Sequence, residues 1–121
     1  MATRQLYLSK SMDELCKMLE AMSKEVRGAK LSRELSDLVY TLKTQRLRHR
    51  KDASAFCRAG GVLSLIYMLS GAEEVRDLVL LLATLANVCA LDGSARKQVC
   101  GVLFLHAGPA TPTLLSYAGY E

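Results

Sequence analysis

Residues 56–99 read FCRAGGVLSLIYMLSGAEEVRDLVLLLATLANVCALDGSARKQV, and the fold turns on how this stretch is punctuated. Gly60 and Gly61 end a short helix expected over 52–59, in which Phe56 is the main apolar residue. They turn the chain sharply into 62–69, VLSLIYML, a segment apolar almost all round. Ser70 and Gly71 stop it. Glu73, Glu74 and Asp77 then put negative charge in the first turn of a longer helix reaching about Ala90, which is favourable at the positive end of a helix dipole. Asp92, Gly93 and Ser94 form the next turn, and Ser94 is placed to cap a short helix ending near Val99.

Upstream the same grammar continues. Ser11 and Glu14 have capping-box spacing, and Met12, Leu15, Cys16, Leu19, Met22 and Val26 recur at three- and four-residue steps until Gly28 stops the helix. A second helix is expected over 31–47, burying Leu31, Leu35, Leu38, Val39 and Leu42. A shift of 43 residues lays Leu35 on Leu78, Leu38 on Leu81, Val39 on Leu82, Leu42 on Leu85 and Phe56 on Val99. One offset that serves two different helices indicates an internal repeat, in the 40–47-residue range of helical solenoids.

Bulk properties agree. The chain has 121 residues, enough for one domain, and half of it is hydrophobic. With no Trp, two Phe and five Tyr, the apolar mass is Leu, Val, Ala and Met, which suits packed helices. Pro109 and Pro112 are the only prolines, so nothing before them forbids helix.

The short helix, glycine pair, short apolar helix and long helix ending in Leu85-Ala86-Asn87-Val88 resemble one armadillo repeat followed by the first helix of the next. Residues 31–59 resemble the long helix of a preceding repeat and a first short helix. The resemblance implies an all-α, armadillo-like right-handed solenoid fragment of about one and a half repeats. Its helical domain would span 1–99, with repeat-like units at 31–59 and 56–99. The pattern fails after Val99: GVLFL at 101–105 imitates GVLSL at 61–65, and then Gly108, Pro109 and Pro112 end any helix. Residues 100–121 are therefore expected to form an irregular or degenerate tail, read as an alternative C-terminus on a shortened product of a longer gene.

The resemblance implies a protein-interaction module or scaffold rather than an enzyme. Asn87 stands where the family places a groove asparagine, and two readings stay open: it clamps the backbone of an extended partner, or it bonds a neighbouring loop. Ala83 occupies the place where peptide-gripping armadillo proteins often carry Trp, and Thr44 is the counterpart of Asn87 one repeat earlier.

The run 43–51, KTQRLRHRK, holds Lys43, Arg46, Arg48, Arg50 and Lys51 without an acid, more positive charge than the net +4 of the whole chain. It reads as a solvated helix end, as a surface for an acidic protein partner, or as a phosphate contact for RNA or DNA. A small basic nucleic-acid-binding protein is thus the alternative function. The absence of aromatics within the run disfavours nucleic acid.

No phosphate loop, zinc-protease or nucleophile-elbow motif occurs, and no catalytic residue or cofactor is expected. Cys16, Cys57, Cys89 and Cys100 lack metal-ligand spacing, are expected as buried reduced thiols, and imply no metal. With no apolar leader, the chain is expected in cytoplasm or nucleus. The apolar run 78–91 is fourteen residues broken by Asn87, a core helix rather than a membrane span. The helix over 74–90 carries more leucine and valine than one neighbour covers, so self-association is expected through Leu78, Leu82, Leu85 and the GVLFL segment.

Overall fold

The computed structural model describes residues 2–24 and 30–106, and within them the chain is all-helical, with no strand. The helices are α1 (Ala2–Ser9), α2 (Met12–Lys24), α3 (Arg33–Thr41), α4 (Arg50–Arg58), α5 (Gly61–Gly71), α6 (Val75–Leu91) and α7 (Gly93–His106). A π-helical turn, Leu42–Arg46, continues α3.

Short polar residues set three of the helix starts. The N–H of Glu14 donates to the Ser11 hydroxyl at 3.2 Å, and that hydroxyl donates to the Glu14 carboxylate at 3.3 Å. The capping spacing therefore closes hydroxyl to carboxylate. Ser32 caps α3 by accepting the Leu35 N–H at 3.2 Å. Helix α7 is capped by Asp92 and not by Ser94: the Ala95 N–H donates to Asp92 Oδ2 at 3.1 Å, which starts the helix at Gly93. Helix α7 also runs past Val99 to His106, so residues 100–106 continue the helix where an irregular tail is expected from the sequence. The stop at Gly28, and the part of the tail holding Gly108, Pro109 and Pro112, lie outside the described residues.

The two glycines between α4 and α5 answer different demands. Gly60 has φ +86°, a left-handed conformation that costs a side-chain-bearing residue. Gly61 is helical, but a Cβ there would penetrate the ring of Phe56, which is itself fully buried. The pair thus lets α5 leave α4 at close range over the largest fully buried side chain.

Helices three apart in the chain pack together: α2 on α5, α3 on α6 and α4 on α7. Of the residues aligned by the 43-residue shift, Leu38 and Leu81, Leu42 and Leu85, and Phe56 and Val99 are all buried. The same shift relates a pair of buried polar residues. Thr41 and Thr84 each donate a hydroxyl to the carbonyl four residues back, Asp37 at 2.8 Å and Leu80 at 2.7 Å. That local bond lets a threonine enter a leucine-lined interface without an orphaned hydroxyl.

Helix α1 has no cap signal, and among its described side chains Tyr7 alone is deeply buried, so sequence periodicity does not announce it. Tertiary contacts hold it. It packs on α3, and Arg46 Nη1 donates to the Tyr7 and Lys10 carbonyls at 3.0 and 2.8 Å, satisfying groups that a helix C-terminus leaves unpaired.

Candidate functional site

The long helices α3 and α6 lie side by side and parallel, because two α6 side chains reach the two ends of the α3 segment. The Leu31 N–H, just before α3, donates to Asp77 Oδ2 at 3.0 Å. Beyond α3, Asn87 Nδ2 donates to the Lys43 carbonyl at 3.3 Å. The π-helical turn accounts for the second bond. Its characteristic bond, Leu47 N–H to the Leu42 carbonyl at 2.8 Å, widens the helix end, and the Asn87 amide takes up one carbonyl there.

Asn87 therefore bonds a neighbouring segment inside the fold, the plainer of its two readings, through its amide nitrogen. Ala83 lies half-buried one turn earlier on α6. In the 43-residue register Ala83 and Asn87 match Tyr40 and Thr44. Thr44 is engaged with the Tyr40 carbonyl at 2.8 Å. Tyr40 is exposed, and the Lys43 ammonium sits 5.9 Å from its ring centroid, at the limit of cation–π reach. The sequence reading does not single out Tyr40, and the 43-residue shift that lays it on Ala83 is the signal that points to it.

The basic run divides. Arg46 points inward and serves as the clamp on α1, so it is no part of an open binding surface. Arg48, Arg50 and Lys51 are exposed. Neither ion pair found among the described residues, Lys10–Glu14 or Lys24–Glu20, involves them. Arg50 and Lys51 open α4, whose preceding residue His49 makes no side-chain capping bond. Cations in a first helical turn face the positive end of the dipole. The helix-end reading covers Lys43, at the close of the α3 segment. It does not cover Arg50 and Lys51.

The thiols are packing groups. Cys16, Cys57 and Cys89 are buried and Cys100 is half-buried, and none of the four is in a disulfide. Burial pushes the Cys16 thiol up to about 12, helped by the Asp13 carboxylate, and burial with the nearby Asp92 carboxylate raises Cys57. Among the described residues no three His, Cys, Asp or Glu side chains converge in a way that could hold a metal ion. A shallow groove of about 350 Å3 between the start of α2 and the end of α4 is lined by Ser11, Met12, Asp13, Ala55, Arg58 and Ala59. Its one hydroxyl, Ser11, is committed to the α2 cap. No single helix among the described residues is long and apolar enough to cross a membrane. No family model, curated protein or solved structure matches this chain.

Proposed function

We propose that the chain is a protein-binding module of armadillo type that acts inside the cell as a scaffold, without catalysis of its own. In this reading α1–α3 and α4–α6 are two repeats and α7 opens a third, one helix group more than the sequence alone suggests. Three observations support it: the packing of helices three apart, the equivalent threonines Thr41 and Thr84, and the glycine pair between the first and second helices of the later unit.

The partner is an acidic, extended segment lying along the α3–α6 seam. The observation that carries this is the placing of Arg50 and Lys51, with Arg48, at the positive end of α4, where beside Asp52 they form no ion pair among the described residues, next in sequence to the turn whose Lys43 carbonyl is tied to Asn87. The exposed Tyr40 supplies apolar surface beside Lys43, and the Asn87 carboxamide oxygen accepts a partner N–H in this reading. Binding of RNA phosphate by the same cations is the competing reading.

Fluorescence anisotropy separates the two. A labelled peptide alternating Glu or Asp with Leu, and an oligouridine of similar charge, are titrated with the protein at low and physiological salt. The proposal expects the peptide to bind and Arg50→Glu with Lys51→Glu to abolish binding. Tighter binding of the oligouridine, weakening by orders of magnitude as salt rises, would replace it with the nucleic-acid reading.

A further inference from the structure

We infer that the outward face of α6, formed by Val75, Leu78, Val79 and Leu82, is a docking surface for a leucine-rich helix of a partner protein, built as α6 itself is built. The inference rests on the two-repeat reading above, but on a different surface from the basic seam.

The chain carries its own precedent for the occupant. In the 43-residue register Leu78 and Leu82 correspond to Leu35 and Val39 of α3, and both α3 residues are fully buried. The long helix that packs on α3 from the C-terminal part of the chain is α6. On α6 the corresponding side chains lack such cover. Leu78 and Leu82 are only half-buried, Val79 is 60% exposed and Val75 is 74% exposed. The α3 counterpart of Val79 is the half-buried Ser36, so at that position the open face is more apolar than the one it copies, while Ser32, the counterpart of Val75, is exposed as Val75 is. Leu85, expected from the sequence to belong to this surface, is buried and does not.

The α3–α6 contact also shows what the occupant must bring. Helix α6 presents buried Leu81, Thr84 and Val88, and in its first turn the Asp77 carboxylate takes the Leu31 N–H. The counterpart of that N–H on the open face belongs to Glu74. The matching ligand is therefore a helix parallel to α6, with leucine or valine at the positions of Leu81 and Val88 and a carboxylate one turn from its start. A second copy of this chain is a poor source. Its Asp77–Leu81–Thr84–Val88 face is already buried, and the far end of its stack is covered by α1, with Tyr7 buried.

The test uses the full chain and a fluorescent peptide of residues 74–91, with lysines appended for solubility and Cys89→Ser. Saturable binding is expected, weakened about tenfold by Asp77→Ala in the peptide and at least tenfold by Val79→Glu in the chain. Val79 is exposed, so an unchanged circular dichroism melt of Val79→Glu verifies that the fold is intact. Chain carrying Arg50→Glu and Lys51→Glu should bind this peptide normally, which keeps failure of the seam apart from failure of this face. Absence of saturable binding, or equal binding by Val79→Glu chain, would overturn the inference. So would a wild-type dimer in sedimentation that Val79→Glu dissociates and the peptide does not compete.

Discussion

The carboxylate of Asp77 accepts the main-chain N–H of Leu31 at 3.0 Å, a bond between residues 46 apart that leaves Asp77 only 4% exposed. An acid that helps its own helix through the dipole thus also fastens the entry of another helix. Together with the Asn87–Lys43 bond it fixes the register in which α6 lies along α3. Both bonds use side chains from α6 and main chain from the α3 segment, so their loss leaves buried backbone groups unpaired. That is the costly direction of loss.

Removing the carboxylate should therefore cost more than a surface change. Asp77→Ala is expected to lower unfolding free energy by roughly 1.5–3 kcal/mol, the range for a hydrogen bond to a charged group. Asn87→Ala is expected to cost about 1 kcal/mol, as a neutral bond. The two contacts lie at opposite ends of α3, so their effects should add within about 0.5 kcal/mol. Urea titration of the two single variants and the double variant checks both the sizes and the additivity.

The glycine pair makes a sharper comparison, because adjacent residues should fail for different reasons. Gly60→Ala places a Cβ on a left-handed residue with open space around it, and should cost about 1–2 kcal/mol of conformational strain. Gly61→Ala drives a methyl into the Phe56 ring and should cost more, about 1–3 kcal/mol or beyond, as overpacking does. Combining Gly61→Ala with Phe56→Leu should recover part of the loss, whereas Gly60→Ala should gain nothing from it. Thermal melts of the four variants decide the matter.

Much of this was legible before any coordinates. Periodicity placed α2, α3, α4, α5 and α6, and the 43-residue shift picked out Leu38 with Leu81 and Phe56 with Val99 as core pairs. It did so because helix burial repeats every three to four residues and the repeat preserves that phase. What escaped were features set by contacts distant in sequence. Helix α1 depends on Arg46, some forty residues away, and the π-helical turn that brings Arg46 there has no sequence signature of its own. The basic run read as one site, yet one of its members faces inward and two open a helix. Charge pattern alone does not say which way a side chain turns.

Arg46 gives a prediction that separates clamp from surface charge. Arg46→Ala should cost roughly 1–3 kcal/mol, since two carbonyls lose a charged donor, and Arg46→Lys should restore only part. The loss should be local. Hydrogen exchange of the α1 amides should accelerate, while those of α3 and α6 keep their protection, because α1 is too short to persist unaided. Arg48→Ala, an exposed neighbour with no such bonds, should change neither stability nor exchange. Equal effects of the two substitutions would mean that Arg46 acts only through charge.

The raised thiols predict a loss of stability at alkaline pH. In the folded chain Cys16 keeps its proton until pH is near 12, while in the unfolded chain it ionises near the ordinary thiol value of 9.0. Between those values the folded state binds the extra proton. Stability from this group is therefore complete below about pH 9 and is lost as pH rises toward 12. The slope from Cys16 alone is about 1.4 kcal/mol per pH unit in that window. Cys57, raised in the same direction by burial and Asp92, steepens it, and above pH 10 Tyr7 adds to it, held up by burial and by Asp37 and Glu34. Urea unfolding at intervals from pH 8 to 11 should show this decline, and Cys16→Ala should flatten it while lowering stability at pH 8 through the cavity left beside Phe56. Native protein should also react slowly with a thiol reagent at pH 8, because buried, protonated thiols are poor nucleophiles. A flat pH profile in the wild-type chain, or rapid labelling of Cys16 without unfolding, would show that this thiol is solvated and that α2 does not seal against α4.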